Sequence, residues 1–304
     1  MKLPPFLKKS DPVALVAPSG PLPEGRLEQA VDSVRELGLE PIVYRSCQLK
    51  HGYFAGNDED RARCLQASFD DPDSKAVISI RGGYGAHRLW NLVDYDAIAA
   101  TGKGYYGYSD ITAVHMELNR RGLITWHSPM PSTEWYKGLD DYTLESLKRA
   151  LFGPLPDWLE NPPGVPMETV VPGKAIGTLI GGNMSLVAST LGTPYELDTT
   201  GKILFLEDVD EPPYRIDRMF LHLKHSGKLD DCAGIILGPF VDSVPSNPNA
   251  TLTLDEIIEE LLGSLGKPVI KGFQCGHALP TMSIPLGAQV LLDADNGIVQ
   301  VLGV

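Results

Sequence analysis

Short apolar runs that end in Gly-, Ser- or Pro-rich turns and then give way to amphipathic stretches recur through the first half of the chain. This recurrence limits the fold more than any other feature. Residues 13–17 run into Pro18-Ser19-Gly20, after which Leu27, Ala30, Val31, Val34 and Leu37 line one helical face that stops at Gly38. Residues 41–44, 76–80, 105–108 and 123–126 read as four further strands. The run at 76–80 meets Arg81-Gly82-Gly83-Tyr84-Gly85, and that at 105–108 meets Ser109-Asp110 and a helix carrying Ile111, Val114 and Leu118. Strands alternating with helices build a parallel sheet covered by helices, so an α/β class is expected.

A chain of 304 residues is long enough for two domains. Six prolines, Pro154, Pro156, Pro162, Pro163, Pro166 and Pro172, cluster where neither a helix nor a central strand can continue. The expected division is 1–153, a linker at 154–169, and a smaller domain at 170–304. That second part has more strands per helix: 175–180, 203–206, 234–237, 269–271, 289–293 and 298–302, the last two flanking the hairpin turn Asn296-Gly297. Ile216, Met219, Phe220 and Leu223 mark one helix there; Leu254, Ile257, Ile258, Leu261 and Leu265 mark another.

Charge and composition narrow the partners. Lys and Arg total 26 against 39 Asp and Glu, a net charge of −13, which lacks the basic footprint a phosphate backbone needs. No run approaches the ~18 apolar residues of a bilayer span. The opening Met1-Lys2-Leu3-Pro4-Pro5 is broken by prolines and carries no secretory apolar core. Neither nucleic acid nor membrane is therefore expected as a partner, and a cytoplasmic location is. The four cysteines, Cys47, Cys64, Cys232 and Cys275, form no C-x-x-C pair and read as free structural thiols.

Three segments put unusual chemistry where ligands of open parallel sheets sit, beyond the carboxyl ends of strands. Gly107-Tyr108-Ser109-Asp110 places a serine on a strand-to-helix corner. That is the logic of a nucleophile elbow, though Ile111 stands where the usual pattern has glycine, and a plain helix cap fits as well. The glycines of Arg81-Gly82-Gly83-Tyr84-Gly85 could aim N–H groups at an oxyanion, cradle a phosphate, or form an ordinary tight turn. Glu207-Asp208-Val209-Asp210-Glu211 follows an apolar strand; its acids could hold a metal, do acid–base work, orient a histidine, or face solvent.

Among seven histidines, His115, His222 and His225 fall on helices near core-facing stripes, and His51, His87, His127 and His277 fall on loops. No spacing typical of a metal site appears. Composition and spacing do not choose among the loop histidines. Cys275-Gly276-His277 also suggests a thiol–imidazole pair, although such partners normally come from distant segments.

Taken together, Gly107-Tyr108-Ser109-Asp110-Ile111-Thr112, Leu206-Glu207-Asp208 with Tyr214-Arg215-Ile216-Asp217, and Gly276-His277 with Pro285-Leu286-Gly287 resemble the LD-carboxypeptidase family. That family comprises murein tetrapeptide carboxypeptidases and the microcin C self-immunity peptidases. Val16-Ala17-Pro18-Ser19-Gly20, the Arg81–Gly85 turn and Gly181-Gly182-Asn183 extend the likeness across nearly the whole chain. The resemblance implies a Rossmann-like N-terminal domain, a smaller β-rich α/β C-terminal domain, and an active site at the domain interface. It implies a triad of Ser109 as nucleophile, His277 as base and Glu207 as the acid orienting it. Backbone N–H groups of Gly83 and Asp110 would form the oxyanion hole. No cofactor or metal is implied; the substrate would be a murein peptide and the assembly a homodimer. A microcin C-type peptidyl-nucleotide peptidase is the alternative within the family. Outside it stand a non-catalytic nucleotide binder using Gly82, Gly83 and Gly85, and a metal hydrolase using Glu207, Asp208 and Asp210.

Overall fold

The computed structural model describes residues 1–245 and 247–304. It consists of two compact units, Met1–Leu155 with Ser283–Gly287, and Pro156–Met282 with Ala288–Val304.

In the first unit, β1 (Pro12–Val16), β2 (Glu40–Val43), β3 (Ala76–Ser79), β4 (Gly104–Gly107) and β5 (Thr125–His127) lie in the order 2-1-3-4-5, all parallel. One further strand, Ile284–Leu286 (β11 in chain order), closes the edge antiparallel to β5, with Pro285 opposite Trp126. The strands are apolar on both faces because both are covered. Tyr106 points into the cluster of Val13, Leu15, Ile78 and Trp126, and its ring stacks on that of Trp126 at 6.4 Å. Its neighbour Tyr105 points the other way, 5.8 Å from Phe69. Covering helices are α1 (Arg26–Glu36), α2 (Asp58–Asp70), α3 (Tyr95–Thr101), α4 (Thr112–Arg120) and α5 (Asp141–Phe152). The α2 stripe is hard to read from the sequence because Arg61, on its inward face, is fully buried. Local chemistry nonetheless starts that helix: the Asn57 side chain accepts from the Asp60 N–H, and Asp58, Glu59 and Asp60 complement the positive end of the dipole. Asp140 caps α5 through the Thr143 N–H.

The second unit holds a mixed seven-stranded sheet in the order 13-12-7-8-9-10-6. Its strands are β6 (Glu168–Val171), β7 (Lys174–Asn183), β8 (Ile203–Val209), β9 (Gly234–Val241), β10 (Val269–Lys271), β12 (Gln289–Asp293) and β13 (Ile298–Gly303). The run β7–β8–β9–β10 is parallel, whereas β6, β12 and β13 pair antiparallel. The helices are α6 (Met184–Ser189), α7 (Pro213–His225), α8 (Lys228–Asp231) and α9 (Leu254–Leu262). Pro213 opens α7, where its missing N–H costs nothing. Thr253 and Glu256 cap α9 reciprocally, and Leu265, expected on its stripe, lies past its end.

The two-domain α/β class thus matches the sequence reading. The boundaries differ in two places. Residues 283–287, assigned from sequence to the second domain, belong to the first unit's sheet, because β5 offers Ile284–Leu286 an unpaired edge. The proline-rich stretch is ordered against the second unit: the Leu159 N–H donates to the Val299 carbonyl at 2.9 Å, and β6 begins at Glu168.

Candidate active site

Strand order in the first unit reverses between β1 and β3, which opens a crevice at their carboxyl ends. The loops after β1, β3 and β4 meet there. The Gly20 N–H donates to the Gly82 carbonyl at 3.0 Å. Gly83 has φ +119°, and a Cβ on it would stand 3.0 Å from both the Cα and the N of Gly20, so only glycine fits. A Cβ on Gly82 would lie 3.0 Å from Ser109 Cβ and 3.2 Å from its Oγ. The glycine turn therefore runs directly against the serine.

Ser109 has φ +67°, in the left-handed region. For a non-glycine residue this costs about 1–2 kcal/mol. β4 ends at Gly107, and a single turn at Ser109–Ile111 leads into α4. This strand–turn–helix corner leaves the serine half-buried, and its hydroxyl caps neither the turn nor α4. The next residue is the brace. Asp110 is buried, and its Oδ2 accepts from Ser19 Oγ at 2.5 Å and from the Ala86 N–H at 2.7 Å. One carboxylate thus ties the loops after β1 and β3 to the serine corner. Sequence reasoning singled out Asp110 only for its backbone N–H and missed this side-chain role. From below, His115 Nε2–H donates to the Gly107 carbonyl at 2.7 Å.

In the second unit, β8 carries the acidic run. Glu207 pairs in register with Asn183 of β7, and the β8–β9 register shifts around it as Leu206 faces Leu237 and Asp208 faces Phe240. The extra residue on β9 is a bulge beside Glu207. Gly238 sits in it, and a Cβ there would come 2.9 Å from Glu207 Cβ and 2.6 Å from the Cys275 carbonyl. Glu207 is 0% exposed, and its Oε2 accepts from His277 Nδ1 at 2.6 Å. His277 keeps 14% of its side chain exposed. Gly276, with φ +132°, makes this approach possible, since a Cβ would stand 2.6 Å from Glu207 Oε2. The loop is pinned by neutral bonds: Gly276 N–H to Thr281 Oγ1 at 3.0 Å, Gln274 N–H to Asn161 Oδ1 at 2.8 Å, and Met282 N–H to the Gln274 carbonyl at 2.8 Å. Burial raises the Glu207 carboxyl above its ordinary value, with His277 and the Asn183 amide pulling against it.

Asp208 faces elsewhere. Its Oδ1 accepts from Asn183 Nδ2 and the Val209 N–H, and its Oδ2 from the N–H and Oγ of Ser185, all between 2.7 and 2.9 Å. It anchors the start of α6. Asp210 is exposed, Glu211 reaches Arg215 at 3.4 Å, and no three His, Cys, Asp or Glu side chains converge among the described residues. The acids of this run are therefore spread over separate tasks, which gives a metal no common centre.

The other histidines and thiols sort plainly. His115 is fully buried, and desolvation pulls its imidazole down to about 4. His127, expected on a loop, ends β5 and is buried with its ring 5.5 Å from that of Tyr108. His222 and His225, expected near core stripes, lie on the exposed side of α7. All four cysteines are free and buried. The Cys275 thiol is pushed well above its ordinary value by burial and by the Glu207 charge, and His277 Nδ1 is engaged by Glu207 instead.

The chain is similar to known proteins over most of its length. Residues 13–128 match the model of the LD-carboxypeptidase N-terminal domain, and residues 176–292 that of the C-terminal domain. A probable murein peptide carboxypeptidase of Bacillus subtilis is 40% identical over 294 residues, covering 95% of this chain and 91% of that protein. The crystal structure of muramoyltetrapeptide carboxypeptidase from Oxalobacter formigenes superposes with a TM-score of 0.83 at 32% identity, covering 95% of this chain and 97% of that one. The microcin C7 self-immunity protein MccF of Escherichia coli is 28% identical, over 96% of this chain and 90% of its own. With both domain models matched in order, and a relative 40% identical aligned over nine-tenths of both chains, the chain belongs to the LD-carboxypeptidase family of peptidases.

Proposed function

We propose that the protein is a serine-type LD-carboxypeptidase that releases the terminal D-alanine from murein tetrapeptides. The observation that carries this reading is the buried Glu207 carboxylate on His277 Nδ1 at 2.6 Å, the arrangement in which a carboxylate orients an imidazole to work through Nε2. His277 Nε2 takes the proton of Ser109, whose Oγ attacks the carbonyl before the terminal D-residue. Glu207 holds the tautomer and stabilises the imidazolium. The oxyanion is met by the N–H groups of Gly83 and Asp110, the residues after Gly82, which packs on the serine, and after Ser109 itself. One such donor contributes ~3–4 kcal/mol to the transition state. His277 then protonates the leaving amine, D-alanine departs, and water attacks the acyl-enzyme with His277 again as base. The mechanism requires His277 to reach Ser109, and it requires no metal or organic cofactor.

Support for the murein reading over peptidyl-nucleotide cleavage is the 40% identity to a relative named a probable murein peptide carboxypeptidase; the murein tetrapeptide carboxypeptidase of Pseudomonas aeruginosa and the immunity protein are each 28% identical to this chain. A cytoplasmic homodimer trimming recycled murein fragments is the setting this reading supplies. The test is mass spectrometry after incubation with murein tetrapeptide and, in parallel, with an aminoacyl-nucleotide. Tripeptide plus free D-alanine is expected; an intact tetrapeptide alongside a cleaved aminoacyl-nucleotide would transfer the chain to the immunity branch.

A further inference from the structure

Most arginines of this acidic chain sit on carboxylates: Arg35, Arg61, Arg63, Arg88, Arg120, Arg121, Arg149 and Arg215 each pair with an Asp or Glu. Arg81 does not. It is half-buried, its Nη1 donates to the Pro21 carbonyl at 2.5 Å, and its Nε is buried without a partner. The charged group nearest in effect is another cation, Arg26. Burial and the Arg26 charge both pull the Arg81 guanidinium below its ordinary value, and no acid opposes them. Arg26 in turn meets neutral groups only among the described residues, the Ser132 carbonyl at 3.2 Å, Gln29 Oε1 at 3.1 Å and the face of the Tyr136 ring at 3.5 Å. Two neighbouring guanidiniums without a carboxylate, in a chain of net charge −13, are a costly arrangement that an anionic ligand would relieve.

Their place gives the anion an identity. Arg81 directly precedes Gly82 and Gly83, and its Cζ lies over Gly20, where an added Cβ would be 3.7 Å away. Gly20 packs on Gly83, and Gly82 on Ser109. The guanidinium is therefore on the same loop pair that faces the serine. In a substrate cleaved before its last residue, the terminal carboxylate lies one residue beyond the scissile carbonyl, a span of about 3.8 Å between equivalent backbone atoms. We propose that Arg81, in the field of Arg26, is the receptor for the α-carboxylate of the residue released. This rests on the carboxypeptidase reading above and explains why it would be an exopeptidase: a chain continuing past that residue, or ending in a neutral amide, leaves the guanidinium unpaired.

The test compares kcat/KM on murein tetrapeptide ending in a free D-alanine carboxylate with the same peptide ending in D-alaninamide. Wild type should prefer the acid by about 100-fold or more, the usual scale for a partly buried charge pair. Arg81→Gln should lose that factor on the acid, mostly through KM, and change the amide less than about threefold, so the preference collapses toward one. Arg81→Lys should lie between. Equal cleavage of acid and amide by wild type overturns the assignment whatever the variants do, as does a full preference kept by Arg81→Gln. Cleavage of neither peptide, with no D-alanine from the acid and no D-alaninamide from the amide, overturns the carboxypeptidase reading itself, and this one with it.

Discussion

Gly276→Ala tests the acid–histidine pair without touching either member. The new Cβ would stand 2.6 Å from Glu207 Oε2, 2.9 Å from Cγ and 3.0 Å from Cδ. Ordinary contact begins near 3.4 Å, so carboxylate and loop must separate by about 0.8 Å. Glu207 cannot retreat, because it is fully buried and Gly238 already crowds its Cβ. The loop cannot follow easily, because Thr281 and Gln274 pin it on both sides. The hydrogen bond to His277 Nδ1 must therefore lengthen. A displacement of ~1 Å in such a group costs about 10²-fold in rate, and complete loss of the tautomer control about 10⁴-fold. A kcat lowered 10²- to 10³-fold is expected, with KM nearly unchanged. The φ of +132° adds about 1–3 kcal/mol of instability, read by urea unfolding. Repeating the change in a Glu207→Ala background isolates the cause: with no carboxylate to displace, Gly276→Ala should lower kcat little further. A wild-type kcat in the single variant, or two losses that simply multiply, would refute the coupling.

Ser109→Ala should lose ~10⁴-fold or more in activity while staying folded, and Ser109→Gly should be as inactive yet more stable by about 1 kcal/mol, since glycine carries the φ of +67° without strain; turnover retained by either variant removes Ser109 as nucleophile. Glu207→Gln should lower kcat by ~10⁴-fold, whereas Asp208→Asn should chiefly lose about 1–3 kcal/mol of stability, because its oxygens accept from Asn183, Ser185 and Val209; the reverse ranking in kcat would exchange the two roles. The His115 imidazole sits at about 4 in the fold against 6.5 free, so the unfolded chain binds its proton first. Its stability contribution is whole above pH 6.5 and is lost as pH falls toward 4, by about 3 kcal/mol. Urea midpoints of His115→Gln should be flatter than wild type across that window. EDTA should leave the rate of tetrapeptide hydrolysis unchanged; loss on chelation with recovery on Zn²⁺ would reject the serine mechanism.

Most strands of both units were legible because each is a short apolar run bounded by turn residues; β6 (Glu168–Val171), largely exposed behind the prolines, and Ile284–Leu286, three residues around Pro285, carry no such signal. The serine corner was legible for the same reason, a strand running straight into a helix. Neighbouring side chains on an extended strand point to opposite sides, so the acids after the 203–206 run are separable from the sequence, and the partners of Glu207 and Asp208 do differ. Other features depend on distant segments. Nothing local distinguishes His277 from His51 or His87; what does is Gly276 and Gly238 clearing space around one buried carboxylate, a relation among residues far apart in the chain. Asp110 as a brace was likewise hidden, since its partners Ser19 and Ala86 come from two other loops. Helix α2 was obscured by Arg61, a charged residue on the inward stripe, held by the carbonyls of Pro18 and Gly85 and by Asp58.

The return of Ile284–Leu286 to the first unit makes that unit discontinuous in the gene. A fragment ending at Leu155 would lack its sixth strand and present the β5 edge, Thr125–His127, with unsatisfied N–H and C=O groups beside Trp126. Such an edge invites pairing between copies. Dissection should therefore follow the chain's own topology: joining residue 155 to 283 through a short flexible linker removes the second unit as an insert and keeps the sheet whole. Supplying the strand in trans, as a peptide spanning 282–288, should solubilise the truncated fragment, much as a donated strand completes an open sheet.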